Sequence, residues 1–334
     1  MSRIAILGGG SWGTALAILF SRSREAHEIA LWVHDLKLAR AMQGNRENAT
    51  YLPGLVLPSS VTISADMADT LNEAEIVVGA MPTAHARNVY TAALPHLNPQ
   101  TAIVSATKGL EPSTHARMSE VISQVTSARF PARLAVLSGP SFAQEAARGE
   151  PTAVVLASAD AVLAQDLQER LGGPRLRLYT NEDVLGVELA AAMKNVIAIA
   201  AGACQGLGLG SNALAALITR GLAEMTRLTG TLGAKAETLS GLAGLGDLVL
   251  TCTGGLSRNR YVGLELGKGR KLQEILGNMK MVAEGVGTAG ALLELARENG
   301  LELPITEQVD AILHQGKPPA AAIRDIMERP QKRE

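Results

Sequence analysis

Lys194 and Asn195 are the only polar residues in the run Leu189 to Cys204, LAAAMKNVIAIAAGAC. Alanine dominates this run and proline is absent from it, which favours a helix. Apolar residues cover nearly every face, so the spacing predicts a buried helix rather than an amphipathic one. A lysine is almost never fully buried unless something pairs with it. Two readings of Lys194 follow. Its side chain snorkels to the surface or meets a carboxylate, or it is a catalytic amine whose pKa is lowered by desolvation so that it exchanges a proton. Asn195 favours the second, because two adjacent polar groups inside an apolar helix suggest a polar cluster that both serve.

A second chemistry lies near the N-terminus. An apolar strand, Arg3 to Leu7, runs into Gly8-Gly9-Gly10-Ser11-Trp12-Gly13 and then into the apolar start of a helix. The spacing is G-x-G-x-x-G. The first glycine (Gly8) permits a tight turn, the second (Gly10) lets backbone approach a pyrophosphate, and the third (Gly13) lets helix and strand pack closely. The helix N-terminus adds free N–H groups and partial positive charge. The next strand ends in His34-Asp35. Asp35 lies 35 − 13 = 22 residues past Gly13, where a ribose-reading acid is expected. His34 precedes it and is placed to stack on adenine or to meet a 2′-phosphate. A dinucleotide site is the reading.

Further candidates stand at strand ends and in glycine-rich turns. Lys108 follows the strand Thr101 to Ser105, and Gly139-Pro140-Ser141 follows Leu134 to Leu137. Ligands bind outside the carboxyl ends of strands in such sheets, so Lys108 reads as functional rather than as a solvated cation. Asp247 closes the run GLAGLGD, where an N-cap is the simpler reading. Ser257-Arg258-Asn259 follows Gly254-Gly255 and reads either as a solvated turn or as an anion clamp. Val282-Ala283-Glu284-Gly285-Val286 is a third polar group among small residues.

These residues need a scaffold. The 334 residues suffice for two domains, and 47% hydrophobic against 19% charged residues reads as compact and globular. Strands are also predicted at 28–33, 76–79 and 152–157, with helical stretches at 83–94, 115–125 and 159–171. That alternation predicts βαβ units and a largely parallel sheet. After Tyr179 the pattern becomes helical throughout: 184–204, 212–228, 260–266, 288–298, 307–314 and 320–327. The fold class is therefore α/β, a Rossmann-type parallel-sheet domain over 1–179 followed by an all-α domain over 180–334. The tail from Gly316 to Glu334 reads as surface.

The net charge of −1 gives no reason to expect a nucleic-acid partner or a membrane surface, and leaves room for a local anion site. Cys204 and Cys252 read as buried free thiols of a reducing compartment, and no metal-ligand spacing involves them. The N-terminus lacks a signal-peptide pattern, and the apolar helix is too short and too interrupted by Lys194 to span a bilayer. A cytoplasmic protein without stable membrane insertion is expected.

The motifs together resemble one family, the bacterial NAD(P)-dependent glycerol-3-phosphate dehydrogenases. They are GGGSWGTALA, the run Asn48 to Gly54 (NATYLPG), TKGLE from Thr107, GPSFAQE from Gly139, MKNV from Met193, LAGLGDL from Leu242, SRNR from Ser257 and VAEGV from Val282. One departure is Met81-Pro82-Thr83-Ala84-His85, where the family often has valine before the proline. The resemblance implies reduction of dihydroxyacetone phosphate to sn-glycerol 3-phosphate for phospholipid synthesis, with NADPH or NADH as cofactor, no metal, and a homodimer. It implies Lys194 as catalytic acid–base, with Lys108, Gly139, Ser141, Asp247, Ser257, Arg258 and Asn259 touching substrate. It implies Ser11, Trp12, His34, Lys108, Ala143, Arg258, Val282 and Glu284 touching the cofactor. Two other readings stay open: a β-hydroxyacid dehydrogenase, marked by a carboxylate clamp, and a non-catalytic dinucleotide sensor, which would not need two lysines and an aspartate.

Overall fold

Short runs rich in Ile, Val, Leu and Ala bury almost every residue, as strands covered on both faces do. The computed structural model, which describes residues 2–279 and 281–331, assembles them in the first of two compact units, Met1–Glu188. In chain order the strands are β1 (Ser2–Leu7), β2 (His27–Trp32), β3 (Glu47–Asn48), β4 (Leu52–Val56), β5 (Val61–Ser64), β6 (Ile76–Gly79), β7 (Ala102–Ser105), β8 (Arg133–Ser138), β9 (Thr152–Ala157) and β10 (Leu176–Asn181). Eight of them form one sheet in the order β10-β9-β8-β7-β6-β1-β2-β5, while β3 and β4 form a separate antiparallel pair.

Every pair in the large sheet is parallel except β8 with β9. The parallel block puts the C-terminal ends of β2, β1, β6, β7 and β8 along one edge. The strand order reverses at β1, which makes the crevice beside its end the expected ligand position. The reading of a Rossmann-type sheet holds. The strands β3, β4, β5 and β10, the helix Leu36–Asn45 and the turn-back at β9 are additions to it.

The second unit, Leu189–Glu334, is helical, and among the described residues no strand follows β10. Its helices include Ser211–Thr231, Asp247–Thr253, Arg258–Gly267, Glu284–Glu298, Pro304–His314 and Pro319–Met327. The last three residues of the charged tail lie outside the described residues. The division by packing falls after Glu188, inside the helix Val184–Gly206 that carries Lys194, hereafter the lysine helix. Contrary to the expectation from the run 189–204, the whole helix has 23 residues and is long and apolar enough to cross a membrane by length and composition, while 89% of its most apolar window is buried within the protein.

Backbone contact fixes the neighbour of the lysine helix in the second unit. A Cβ on Gly202 would lie 1.9 Å from the Arg260 carbonyl oxygen, and one on Gly263 would lie 1.9 Å from that of Ile199. Gly206 and Gly267 meet the facing backbone in the same way, at 2.3 Å from Leu264 O and 2.5 Å from Ala203 O. The two helices thus touch along a glycine seam, and this seam holds the start of Arg258–Gly267 in place. In the first unit, Glu188 ties the opening turns of the lysine helix to the helix Met118–Thr126. Its carboxylate accepts from Ser119 N (2.8 Å), Ser119 Oγ (2.5 Å) and Arg117 Nη1 (3.0 Å).

Helix Pro304–His314 has no local side-chain cap. Glu224, buried on Ser211–Thr231, caps it from a distance by accepting from Ile305 N (2.6 Å), Thr306 N (3.3 Å) and Thr306 Oγ1 (3.3 Å). Burial outweighs these donors and pushes the Glu224 pKa up to about 7. A carboxyl whose folded pKa is raised binds protons better in the native state, so its contribution to stability is fully present below the unfolded pKa and is lost as pH rises through about 7. Glu224→Gln should remove that pH dependence. From pH 4.5 to 8 wild type should lose stability relative to the variant, by at most on the order of 3 kcal/mol. Urea melts across that range check it, and a constant gap would show that Glu224 does not titrate there.

Candidate functional site

The glycine loop is built as its spacing requires. Gly8 has φ +126°, and a Cβ there would lie 2.6 Å from the Ala80 carbonyl oxygen at the end of β6. A Cβ on Gly13 would lie 1.9 Å from Gly8 O, so the third glycine lets the helix Ser11–Phe20 sit against the loop. Gly10 differs from both. Its φ is −76°, and nothing lies within 4 Å of a Cβ built on it. Gly10 is the N-cap of the helix that follows and has no side chain to cap it, so the loop has an open face where its second glycine stands. Ser11 and Trp12 form the first helical turn, and Trp12 packs on the sheet core.

At the end of the second strand the expected acid has a structural task. Asp35 caps the helix Leu36–Asn45, its Oδ1 accepting from Lys37 N (2.8 Å) and Leu38 N (3.2 Å). An acid at this spacing reads equally as a ribose ligand or as an N-cap, and that oxygen serves the helix. His34 is exposed, with its ring 5.6 Å from that of Trp32.

At the ends of β7 and β8 the structure brings together three residues singled out in the sequence. Lys108 Nζ donates to Gly139 O (2.9 Å) and to Ser141 Oγ (3.4 Å), and Ser141 Oγ donates to the same carbonyl (2.9 Å). Gly139 turns at φ +139°, a conformation that L side chains rarely adopt. Ala143 opens the short helix Ala143–Arg148 just beyond.

In the second unit Lys194 has the carboxylate partner that its burial demands. Its Nζ lies 2.5 Å from Asp247 Oδ1, and both side chains are almost fully buried. Asp247 is the first residue of Asp247–Thr253, directly after a wide turn at Leu242–Gly246, and is not the N-cap. Thr251, one turn later, completes the cluster by accepting from Lys194 Nζ (3.1 Å) while donating to Asp247 O (2.5 Å). Thr251 was not legible as a site residue, although the i, i+4 spacing from Asp247 puts both on one helix face. Cys252 beside it is buried. Burial pushes its thiol up to about 12, against the opposing charges of Lys194 and Arg260.

The Ser257-Arg258-Asn259 turn is not solvated throughout. Ser257 is buried and caps Arg258–Gly267, accepting from Arg260 N (3.2 Å). Asn259 is buried too, its Oδ1 accepting from Gly285 N (3.0 Å) at the start of Glu284–Glu298. Arg258 presents an exposed side chain. Desolvation by the surrounding protein lowers its guanidinium pKa although the residue is exposed at the surface, and the charge of Glu284 opposes that shift. Val282 is half exposed, just before that helix. Among the described residues no group of three or more His, Cys, Asp or Glu could hold a metal ion.

Comparison with known proteins decides the family. Residues 3–164 match the model for the NAD-dependent glycerol-3-phosphate dehydrogenase N-terminus, and residues 183–324 match that for its C-terminus. This chain belongs to the NAD-dependent glycerol-3-phosphate dehydrogenase family. It is 55% identical to the glycerol-3-phosphate dehydrogenase [NAD(P)+] of Koribacter versatilis, over 100% of this chain and 99% of that one. It is 52% identical to the corresponding protein of Acidobacterium capsulatum, over the whole of both chains. The crystal structure of glycerol-3-phosphate dehydrogenase from Coxiella burnetii superposes with a TM-score of 0.92 at 42% identity, covering 98% of this chain and 99% of that one.

In this dehydrogenase chain the buried pair makes a direct prediction. Removing one partner of a buried ion pair strands the other charge, typically at about 3–5 kcal/mol. Asp247→Asn should cost roughly that much in wild type and far less in a Lys194→Met background. Equal costs in the two backgrounds, read from denaturant melts, would show that the two residues are not coupled.

Proposed function

We propose that this chain catalyses the NAD(P)-dependent reduction of dihydroxyacetone phosphate to sn-glycerol 3-phosphate, supplying glycerophospholipid synthesis. The observation that carries the reading is the buried Lys194–Asp247–Thr251 cluster, a proton donor held in an apolar helix, in a chain of this family. The glycine loop fits a dinucleotide, because Gly10 leaves an open face at a helix N-terminus. Gly8, Gly10, Ser11, Trp12 and Gly13 would hold the pyrophosphate and His34 the adenosine end. Lys108, Ala143, Arg258, Val282 and Glu284 complete the assigned cofactor contacts. Bound there, the reduced nicotinamide supplies a hydride to the carbonyl carbon.

As that carbon is reduced, negative charge grows on the carbonyl oxygen. A positioned cation and donor stabilise such charge by roughly 3 kcal/mol. Lys194 takes that role and then delivers its proton to the oxygen, a step typically worth about 10²–10⁴-fold. Asp247 balances the ammonium before the transfer, and Thr251 holds the Nζ in line. Lys108, Gly139 and Ser141 are assigned to the substrate. Arg258 meets the phosphate, with Ser257 and Asn259 fixing its turn. Remote binding energy of that phosphate then positions the reacting carbon. The resemblance also supports a cytoplasmic homodimer without nucleic-acid partners.

Lys194→Met keeps the side-chain volume and should lower kcat by about 10²-fold or more, with cofactor titration showing an intact fold. A folded variant with near wild-type kcat would remove Lys194 from the chemistry.

Arg258→Lys keeps the charge but loses the planar fork that meets two phosphate oxygens. It should cut kcat/KM for dihydroxyacetone phosphate by about 10–100-fold. Dihydroxyacetone, which lacks the phosphate, should be turned over equally poorly by both enzymes. Equal losses with both substrates would move Arg258 to the cofactor or the fold.

A further inference from the structure

Asn48 belongs to none of the roles above, yet no side chain in the first unit is more completely enclosed. It has 0% exposure, and both its amide nitrogen and its amide oxygen have partners. Its Nδ2 donates to Gly9 O (2.9 Å) and to Thr14 Oγ1 (2.8 Å), and its Oδ1 accepts from Tyr51 N (3.1 Å). Gly9 is the middle glycine of the loop, and Thr14 lies in the first turn of the helix that follows. One amide therefore bridges the loop and the helix start, from a hairpin 48 − 9 = 39 residues away.

The hairpin is itself held. Arg46, in the left-handed region at φ 53°, donates through its guanidinium to the carbonyls of Pro58 and Val61. Glu47 accepts from Gly54 N (2.8 Å) across the β3–β4 turn. On its other side Gly9 is wedged against Val33, whose side chain would lie 2.7 Å from a Cβ. The Gly9 carbonyl is thus fixed in direction. In a trans peptide the C=O and the following N–H point in opposite directions. Pinning Gly9 O toward Asn48 therefore aims the N–H of Gly10 away from the hairpin.

We propose that Asn48 is a positioning residue of the dinucleotide site. By fixing the peptide between Gly9 and Gly10 it presets the backbone donor that the loop offers to a pyrophosphate, and the β3–β4 hairpin is the buttress of that loop. The inference rests on the reading of Gly8–Gly13 as the dinucleotide loop.

The test uses the full chain, with NADPH and NADH titrated separately by fluorescence in the absence of substrate. Asn48→Asp keeps the size, removes both donors and turns an acceptor toward Gly9 O. It should raise Kd about tenfold for both cofactors alike, since the pyrophosphate is common to them. At saturating cofactor kcat should stay within about twofold of wild type, because the reacting groups are untouched. A residue that merely stabilised the fold would not produce that split. Should Asn48→Asp fail to fold, Thr14→Val removes one of the two acceptors at constant volume and should raise both Kd values about threefold. Unchanged affinity in a folded variant, a rise for one cofactor only, or a fall in kcat without a change in Kd would overturn the proposal. Gly10→Ala separates the two ideas, because its Cβ meets nothing in the fold. If Gly10→Ala binds both cofactors as wild type does, the loop reading fails. If Gly10→Ala weakens them and both other variants do not, only the buttress fails.

Discussion

A buried ammonium cannot stand alone, and the second unit is arranged around that constraint. The effective penalty for taking an ion out of water is several kcal/mol, and a carboxylate in contact offsets it only with good geometry and further hydrogen bonds. Asp247 supplies the contact and Thr251 the hydrogen bond. Both come from a helix that begins after a wide turn, and Gly244 permits that turn. A Cβ on Gly244 would lie 2.1 Å from Leu239 O. Apolar residues of similar volume in place of such a pair are often neutral or stabilising. The pair is therefore poorly explained by stability alone and fits the proton-donor role proposed for Lys194.

The first unit solves a different problem, which is to present backbone rather than side chains. Gly8 and Gly13 let strand, loop and helix close on one another, and Gly10 leaves a gap. At the neighbouring strand ends Lys108 reaches back to the Gly139 carbonyl, so a cation is held on a turn that only a glycine makes without strain. Within each unit the singled-out groups are held by short, dense contacts.

Much of this was legible because the signals are local. The glycine spacing sits between a strand and a helix. Lys194 is conspicuous because nothing else charged shares its run. Other parts were illegible for physical reasons. The Asp247 carboxylate lies 247 − 194 = 53 residues from its partner, and a threonine at position 251 resembles any helical threonine until the i, i+4 relation is joined to that distant lysine. Asp35 shows the limit of spacing arguments, since the position of a ribose acid coincides with the N-cap of the next helix. Strand β4 contains Pro53 and Gly54, β3 has only two residues, and β5 and β10 set polar residues between their apolar ones, so none of the four is a continuous apolar run. Asn48 was visible within a motif, but its partners are a carbonyl and a hydroxyl of another element, which no periodicity reveals.

The glycine seam between the lysine helix and Arg258–Gly267 has a consequence for engineering. Exchange of helical glycine for alanine is a common route to thermostability, since it reduces the conformational freedom of the unfolded chain. Along the seam that route is closed, because the new methyl would displace a carbonyl of the facing helix and no side-chain repacking relieves a backbone clash. Gly44 and Gly287 are different. Both stand in helices, in ordinary backbone conformations, with nothing within 4 Å of an added Cβ. A designer seeking a heat-resistant biocatalyst would leave positions 202, 206, 263 and 267 out of any library and spend its diversity on such open sites.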